Sequence, residues 1–299
     1  MSPRLRKLVL GLGVALASAG SVRTANAYVQ SRTMDGWPTV WRKHNLDIQF
    51  YAKDPPDFLE RASMLRMVRA SAAAWSYPAN SCTDLSLNVV EVNESFAPAT
   101  YDSTNRIGFR RPEWRKDPCD PDKEMCGDYP GNAIAITTVT SNKRTGEILD
   151  ADIEFNAVSQ KFGDIVVDGP RPRGTLMTVQ DLQNTLTHEL GHFIGLDHNC
   201  FEPAPGFVAP KDQFQREAPH CSTASASIAE ATMFNSALPG ETKKRDLADD
   251  DLEAICDIYQ PIDDGGCAFT GGQRRAGPTS GLLVLGLLIS ATALRRRRP

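Results

Sequence analysis

The chain has 299 residues, a formal net charge of -4 and a pI near 5.8, with 23% charged residues. That balance lacks the basic footprint of a nucleic-acid binder, and the only dense basic run, Arg295 to Arg298, lies behind an apolar tail. The length suits one large domain, or two closely packed subdomains, with a substantial core.

Arg4, Arg6 and Lys7 precede a short apolar run from Leu8 to Ala19, and Ala25-Asn26-Ala27 offers a small-x-small cleavage site. This is the pattern of an export signal over 1–27, with a mature start at Tyr28. The apolar run is shorter than the roughly 20 residues of a spanning helix. After an N-terminal segment, 28–45, Leu46, Ile48 and Phe50 alternate with Asp47, Gln49 and Tyr51, which predicts a strand with one buried face.

Asp57 then offers an N-cap for a helix whose Phe58, Ala62, Leu65, Val68, Ala72 and Trp75 recur at helical spacing until Pro78. Strands are predicted at Leu85 to Val92, Arg106 to Phe109 and Ala133 to Val139, with a Pro- and Asp-rich loop from Pro112 to Pro130. The clearest alternation runs from Leu149 to Asn156. There Leu149, Ala151, Ile153 and Phe155 oppose Asp150, Asp152, Glu154 and Asn156, which predicts one wet face. Thr178 and Asp181 make a weak capping box for a long helix with Leu182, Leu186, Leu190 and Phe193 on its apolar side. Strand, helix, several strands, helix describes an α+β layer with one principal sheet.

Behind an export signal, the seven cysteines are expected to be paired. Cys82, Cys119, Cys126, Cys200, Cys221 and Cys256 allow about 15 connectivities. Loop length favours Cys119 with Cys126 and Cys200 with Cys221, leaving Cys82 with Cys256. Cys267 is the odd one, at a Gly265-Gly266-Cys267 junction assigned to processing or lipidation. A linker, 261–280, leads to an apolar stretch from Gly281 to Leu294 and the terminal arginines, which suits a membrane anchor with its end on the cytoplasmic side.

The chemistry is carried by His188-Glu189-Leu190-Gly191-His192. Two histidines four apart share a helix face, so both imidazoles can reach one ion at about 2.0 to 2.1 Å. Glu189 beside them suits a general base. Gly195 can end the helix in a left-handed turn and return the chain to present His198 as a third ligand, leaving a fourth position open as catalytic zinc sites do. Three of the five histidines are thereby used. A buried helix with incidental histidines would have to bury Glu and His without partners, at high cost.

The full string from His188 to His198 resembles the H-E-x-x-H-x-x-G-x-x-H signature of the metzincin zinc peptidases. Asp150 to Asn156, Ala231-Thr232-Met233-Phe234 and Asp249 to Tyr259 look like that family's edge strand, Met-turn and closing helix. The likeness is nearest to matrixin-like bacterial peptidases and covers about Leu46 to Tyr259. It implies a zincin fold: a mixed, mainly parallel sheet, two long helices, and a small C-terminal subdomain with Met-turn and final helix. The catalytic domain would span 46–260, with an upper part to about 195 and a lower part from 196.

The resemblance further implies one catalytic Zn2+, hydrolysis of internal peptide bonds by zinc-activated water with Glu189 as base, and Met233 as a hydrophobic floor under the histidines. The strand at Asp152, Ile153, Glu154, Phe155 and Asn156 would bind extended substrate by strand addition. Asn199 follows His198 where animal matrixins have Ser, and Phe234 brings no further ligand. His220, in the long stretch before Met233, reads as a surface histidine. No cysteine lies between Tyr28 and Cys82, so any latency would use Tyr28 to Trp41 or another device. Calcium stays open, since no EF-hand spacing is present. The tail resembles the MYXO-CTERM sorting tail, which implies removal near Cys267; a plain anchor is the alternative. The expected partners are a protein or peptide substrate and the membrane or sorting machinery, with a monomeric enzyme on the cell surface or outside the cell. The rival reading is a surface-anchored peptide-binding module without catalysis.

Overall fold

A computed structural model describes residues 28–56, 59–77, 79–115, 129–166, 179–204 and 208–262. The signal segment, the loop cysteines Cys119 and Cys126, and the tail with Cys267 lie outside them.

The elements are β1 (Val29–Gln30), β2 (Asn45–Tyr51), α1 (Arg61–Ala74), β3 (Ser86–Val92), β4 (Arg106–Arg110), β5 (Ala135–Ser141) and β6 (Ile148–Asn156). There follow β7 (Lys161–Gly163), β8 (Val179–Asp181), α2 (Leu182–Phe193), β9 (Leu196–Asp197), α3 (Ala226–Ala229) and α4 (Asp249–Ile258). The class is mixed α+β. A five-stranded sheet in the order β3-β2-β4-β6-β5 is parallel throughout except for β5, which pairs antiparallel with β6.

Alternation makes β2 what the sequence predicts: Leu46, Ile48 and Phe50 are buried. α1 buries Met64, Met67, Val68, Ser71 and Ala72, a stripe at i, i+3, i+4, i+7 and i+8, and packs against α2 and β3. It begins at Arg61 after Glu60; the expected cap, Asp57, lies outside the described residues. α2 is shorter than expected. Thr178 lies outside the described residues, Val179 to Asp181 form a strand, and Asp181 is itself the N-cap, accepting from the Asn184 N–H at 2.8 Å.

The expectation for β6 is overturned. Its polar row is not wet: Asp150, Asp152, Glu154 and Asn156 are at most 2% exposed. The segment before β4, β4 itself and Tyr129 cover that face and supply most of its partners. Asp152 accepts from the Thr100 and Arg106 N–H groups at 3.1 and 2.9 Å, and Glu154 from the Arg110 guanidinium and the Tyr129 hydroxyl at 2.6 and 2.9 Å. The opposite row, Ala151, Ile153 and Phe155, is fully buried in the core. With β4 on one side and β5 on the other, β6 has no free edge.

The N-terminal segment is part of the fold. β1 pairs antiparallel with β9, Val29 is buried, and the Trp41 indole donates to Phe193 O at 2.8 Å. Two disulfides, Cys82–Cys256 and Cys200–Cys221, have Cα separations of 5.2 and 4.9 Å, as loop length favours, and they fit an extracellular protein. Among the described residues no helix is long and apolar enough to cross a membrane.

Candidate metal centre

α2 is tied at both ends, and this sets the position of His188 and His192. At its start, Arg245 bridges the cap Asp181 and Asp164, while the Lys244 N–H donates to Asn184 Oδ1 at 2.7 Å. Midway, the Trp75 indole donates to Thr187 O at 2.8 Å. At its end, the Tyr259 hydroxyl donates to Ile194 O at 2.7 Å. Gly195 then takes φ +89°, and a Cβ there would lie 2.5 Å from Thr39 O, so this turn needs glycine on both counts. It returns the chain through β9 to His198.

The three histidines converge. The ligand atoms of His188, His192 and His198 all lie within 4.8 Å of one another. Nε2 of His198 is 3.1 Å from that of His192 and 3.3 Å from that of His188. The other ring nitrogens fix the tautomers: His188 Nδ1 donates to Thr232 O at 2.7 Å, and His192 Nδ1 to Leu196 O at 2.9 Å. Burial holds His188 and His198 well below the usual histidine range, helped by the Lys244 charge and by the neighbouring histidines. With Nδ1 of His188 and His192 turned to carbonyls, their Nε2 atoms are left facing that of His198, an arrangement that a cation between them would relieve. A tetrahedral ion at about 2.0 to 2.1 Å from each nitrogen requires separations of roughly 3.3 to 3.4 Å, close to those found. The set could therefore hold a metal ion.

Beneath the ligands the chain from Ala231 to Met233 forms a buried floor. The Thr232 N–H donates to Asp251 Oδ2 at 3.0 Å, which also accepts from the Ala248 N–H, so α4 anchors the segment that orients His188. Met233 is 2% exposed and packs below α2 at Gly191. The Asn199 N–H donates to Met233 O at 3.2 Å.

Glu189 is 6% exposed, and Thr137 Oγ1 donates to its Oε2 at 2.6 Å. Burial pushes its carboxyl above the ordinary range; His192 and the Thr137 hydrogen bond oppose that. His188, Glu189, His192 and His198 line a cavity of about 720 Å³ that also takes in Asn132 to Thr137, Asn235 to Ala237 and Lys244.

The strand expected to bind substrate is set back from the cavity. Asp152, Ile153, Glu154, Phe155 and Asn156 lie within the sheet and line no part of this cavity. The strand beside it is β5, whose outer edge pairs with no strand among the described residues. The six residues Asn142 to Glu147 between β5 and β6 predict a hairpin, and pairing β6 with β5 in that hairpin leaves β5 as the edge. Thr137 and Lys244 carried no local signal, because they reach the site from other elements. His220 is exposed, packs edge-on against Phe201 at 4.6 Å between ring centres, and is not among the lining residues.

No protein-family model and no curated protein matches the chain.

Proposed function

We propose that the chain is an exported zinc-dependent metalloendopeptidase on a metzincin-like, matrixin-like scaffold, cutting internal peptide bonds. The observation that carries this reading is the convergence of three imidazoles, their ligand atoms within 4.8 Å of one another, beside a buried carboxylate in an open cleft. His188, His192 and His198 would hold the ion. Bound there, zinc would supply a Lewis acid that polarises a carbonyl and makes water acidic enough to react near neutral pH.

Glu189 takes a proton from the attacking water and returns it to the leaving amine. Thr137 fixes the rotamer of that carboxylate by donating to it. The free edge of β5 offers main-chain donors and acceptors to an extended peptide, which binds as an added strand irrespective of its sequence. Met233 packs the floor and ligates nothing. Two disulfides support export.

The test uses the full chain produced in an oxidising compartment, with a denatured protein mixture as substrate. Wild type, wild type after chelation and zinc restoration, and Glu189→Ala are compared, with zinc counted in each. Cleavage only by zinc-replete wild type, with about one zinc retained by the variant, is the expected result. Undiminished cleavage by Glu189→Ala or by the chelated protein refutes the reading. Zinc bound without any cleavage favours a peptide-binding module instead.

A further inference from the structure

The Lys244 backbone helps to tie α2, but its ammonium has no part in the reaction proposed above, and the residue lines the same cavity as the three histidines. It lies in a 3-10 turn, Lys243–Arg245, and its side chain is 1% exposed. Its ammonium donates to Phe234 O at 2.5 Å and Ser236 O at 3.0 Å. An ammonium has three donors, and among the described residues no acceptor takes the third. Among the described residues it has no ion-pair partner. Glu241, Glu189 and Asp251 attract it only from farther away.

Burying an ammonium is costly unless a counter-ion meets it. Asn184, Thr185, Asn235 and Ser236, which also line the cavity, are polar but uncharged. The two carbonyls hold the Lys244 head in place, and a carboxylate that reached it from the cavity would meet the remaining donor. A hydrogen bond of that kind, with both partners charged, is the strong sort.

We propose that Lys244 is a specificity-determining residue, selecting peptides that carry an aspartate or glutamate side chain next to the scissile bond. The proposal rests on the metalloendopeptidase reading, and it names the substrate class of that same cleft. Main-chain pairing to β5 would supply sequence-independent grip, and Lys244 the choice of side chain.

The experiment is a digest of a proteome-derived peptide library by the zinc-loaded full chain, reading the residues that flank each cut. The expected result is enrichment of Asp and Glu at one flanking position, with kcat/KM about tenfold or more above matched Asn and Gln peptides, as loss of a charged hydrogen bond implies. Lys244→Met should lose the preference. In a parallel arm, zinc-loaded Glu189→Gln is used to capture uncleaved peptides from the same library, and acidic residues should be enriched among those bound. Cleavage without an acidic preference by wild type overturns the inference and leaves the peptidase reading intact. Acidic enrichment in the capture arm without any cleavage keeps the carboxylate selection and sinks the peptidase reading. Neither cleavage nor acidic capture sinks both. If Lys244→Met does not fold, the wild-type profile still decides.

Discussion

Met233 Sδ lies where a side chain on Gly191 would have to be: a Cβ built at Gly191 falls 2.2 Å from that sulfur and 3.2 Å from the Trp75 ring. The glycine between His188 and His192 therefore lets the floor of the site rise against α2. Met233 is 2% exposed and Trp75 fully buried, so neither can swing into solvent. Gly191→Ala is expected to destabilise the fold by about 1 to 3 kcal/mol through overpacking, despite the gain in helix propensity. Displacing Met233 would also disturb Thr232, whose carbonyl orients His188. Denaturant unfolding and a zinc titration of the variant measure the two effects; a variant as stable as wild type would refute the packing argument.

Metal removal should destabilise the folded chain, because an ion held by the three histidines would occupy a site that only the fold assembles. At free metal about a thousandfold above Kd the linkage amounts to roughly 4 kcal/mol. Chelation is thus expected to lower Tm clearly in wild type and to leave His198→Ala nearly unmoved. Equal shifts in both proteins would mean that the three histidines are not the binding site.

Thr137→Val keeps the shape of the side chain and removes the hydroxyl that donates to Glu189 at 2.6 Å. The carboxylate loses the one side-chain donor it has among the described residues. A fall in kcat of about tenfold is expected, as for loss of one hydrogen bond to a charged group, with zinc content unchanged. Stopped-point assays with metal analysis check this, and an unaltered kcat would remove Thr137 from the site.

Asp250 and Asp251 open α4 side by side, both buried. Burial raises both carboxyls above the ordinary range; the Asp250 charge adds to this for Asp251, and the Asp249 charge for Asp250. In the unfolded chain such groups titrate near about pH 4. The folded pair keeps protons that the unfolded chain releases, so its contribution to stability is greatest at low pH and is lost as pH rises above about 4 toward the folded values. Asp251→Asn keeps an oxygen for the Thr232 and Ala248 N–H groups and removes a proton equilibrium. Urea unfolding of the metal-free protein between pH 5 and 8 should therefore lose less stability with rising pH in the variant than in wild type. Parallel curves would contradict the assignment.

The disulfides close loops of very different length, 174 and 21 residues apart in sequence. On the chain-entropy account they contribute about 5 and about 3 kcal/mol respectively. Replacing Cys82 and Cys256 by serine should lower the unfolding free energy more than replacing Cys200 and Cys221. The reverse order in denaturant titrations would show that native-state strain, not loop entropy, governs them.

What could be read along the chain was whatever a few neighbouring residues settle. Helical spacing aligned His188 with His192, Gly195 permitted the turn to His198, and alternation marked β2 and the inner row of β6. Those relations span at most eleven residues, and local backbone geometry enforces them. The fate of the outer row of β6 was not local. An alternating strand looks alike whether water or a crossing chain covers its polar side, and only the segment around Thr100 and Arg106 decided that Asp152 and Glu154 would be buried. Tertiary pairing likewise made β5 the open edge. It brought Thr137 to Glu189 across 52 residues, Met233 under Gly191, and Lys244 into the wall of the cleft. Such contacts depend on how sheet, helices and loops pack around one core, where each surface is chosen by what else remains to be covered.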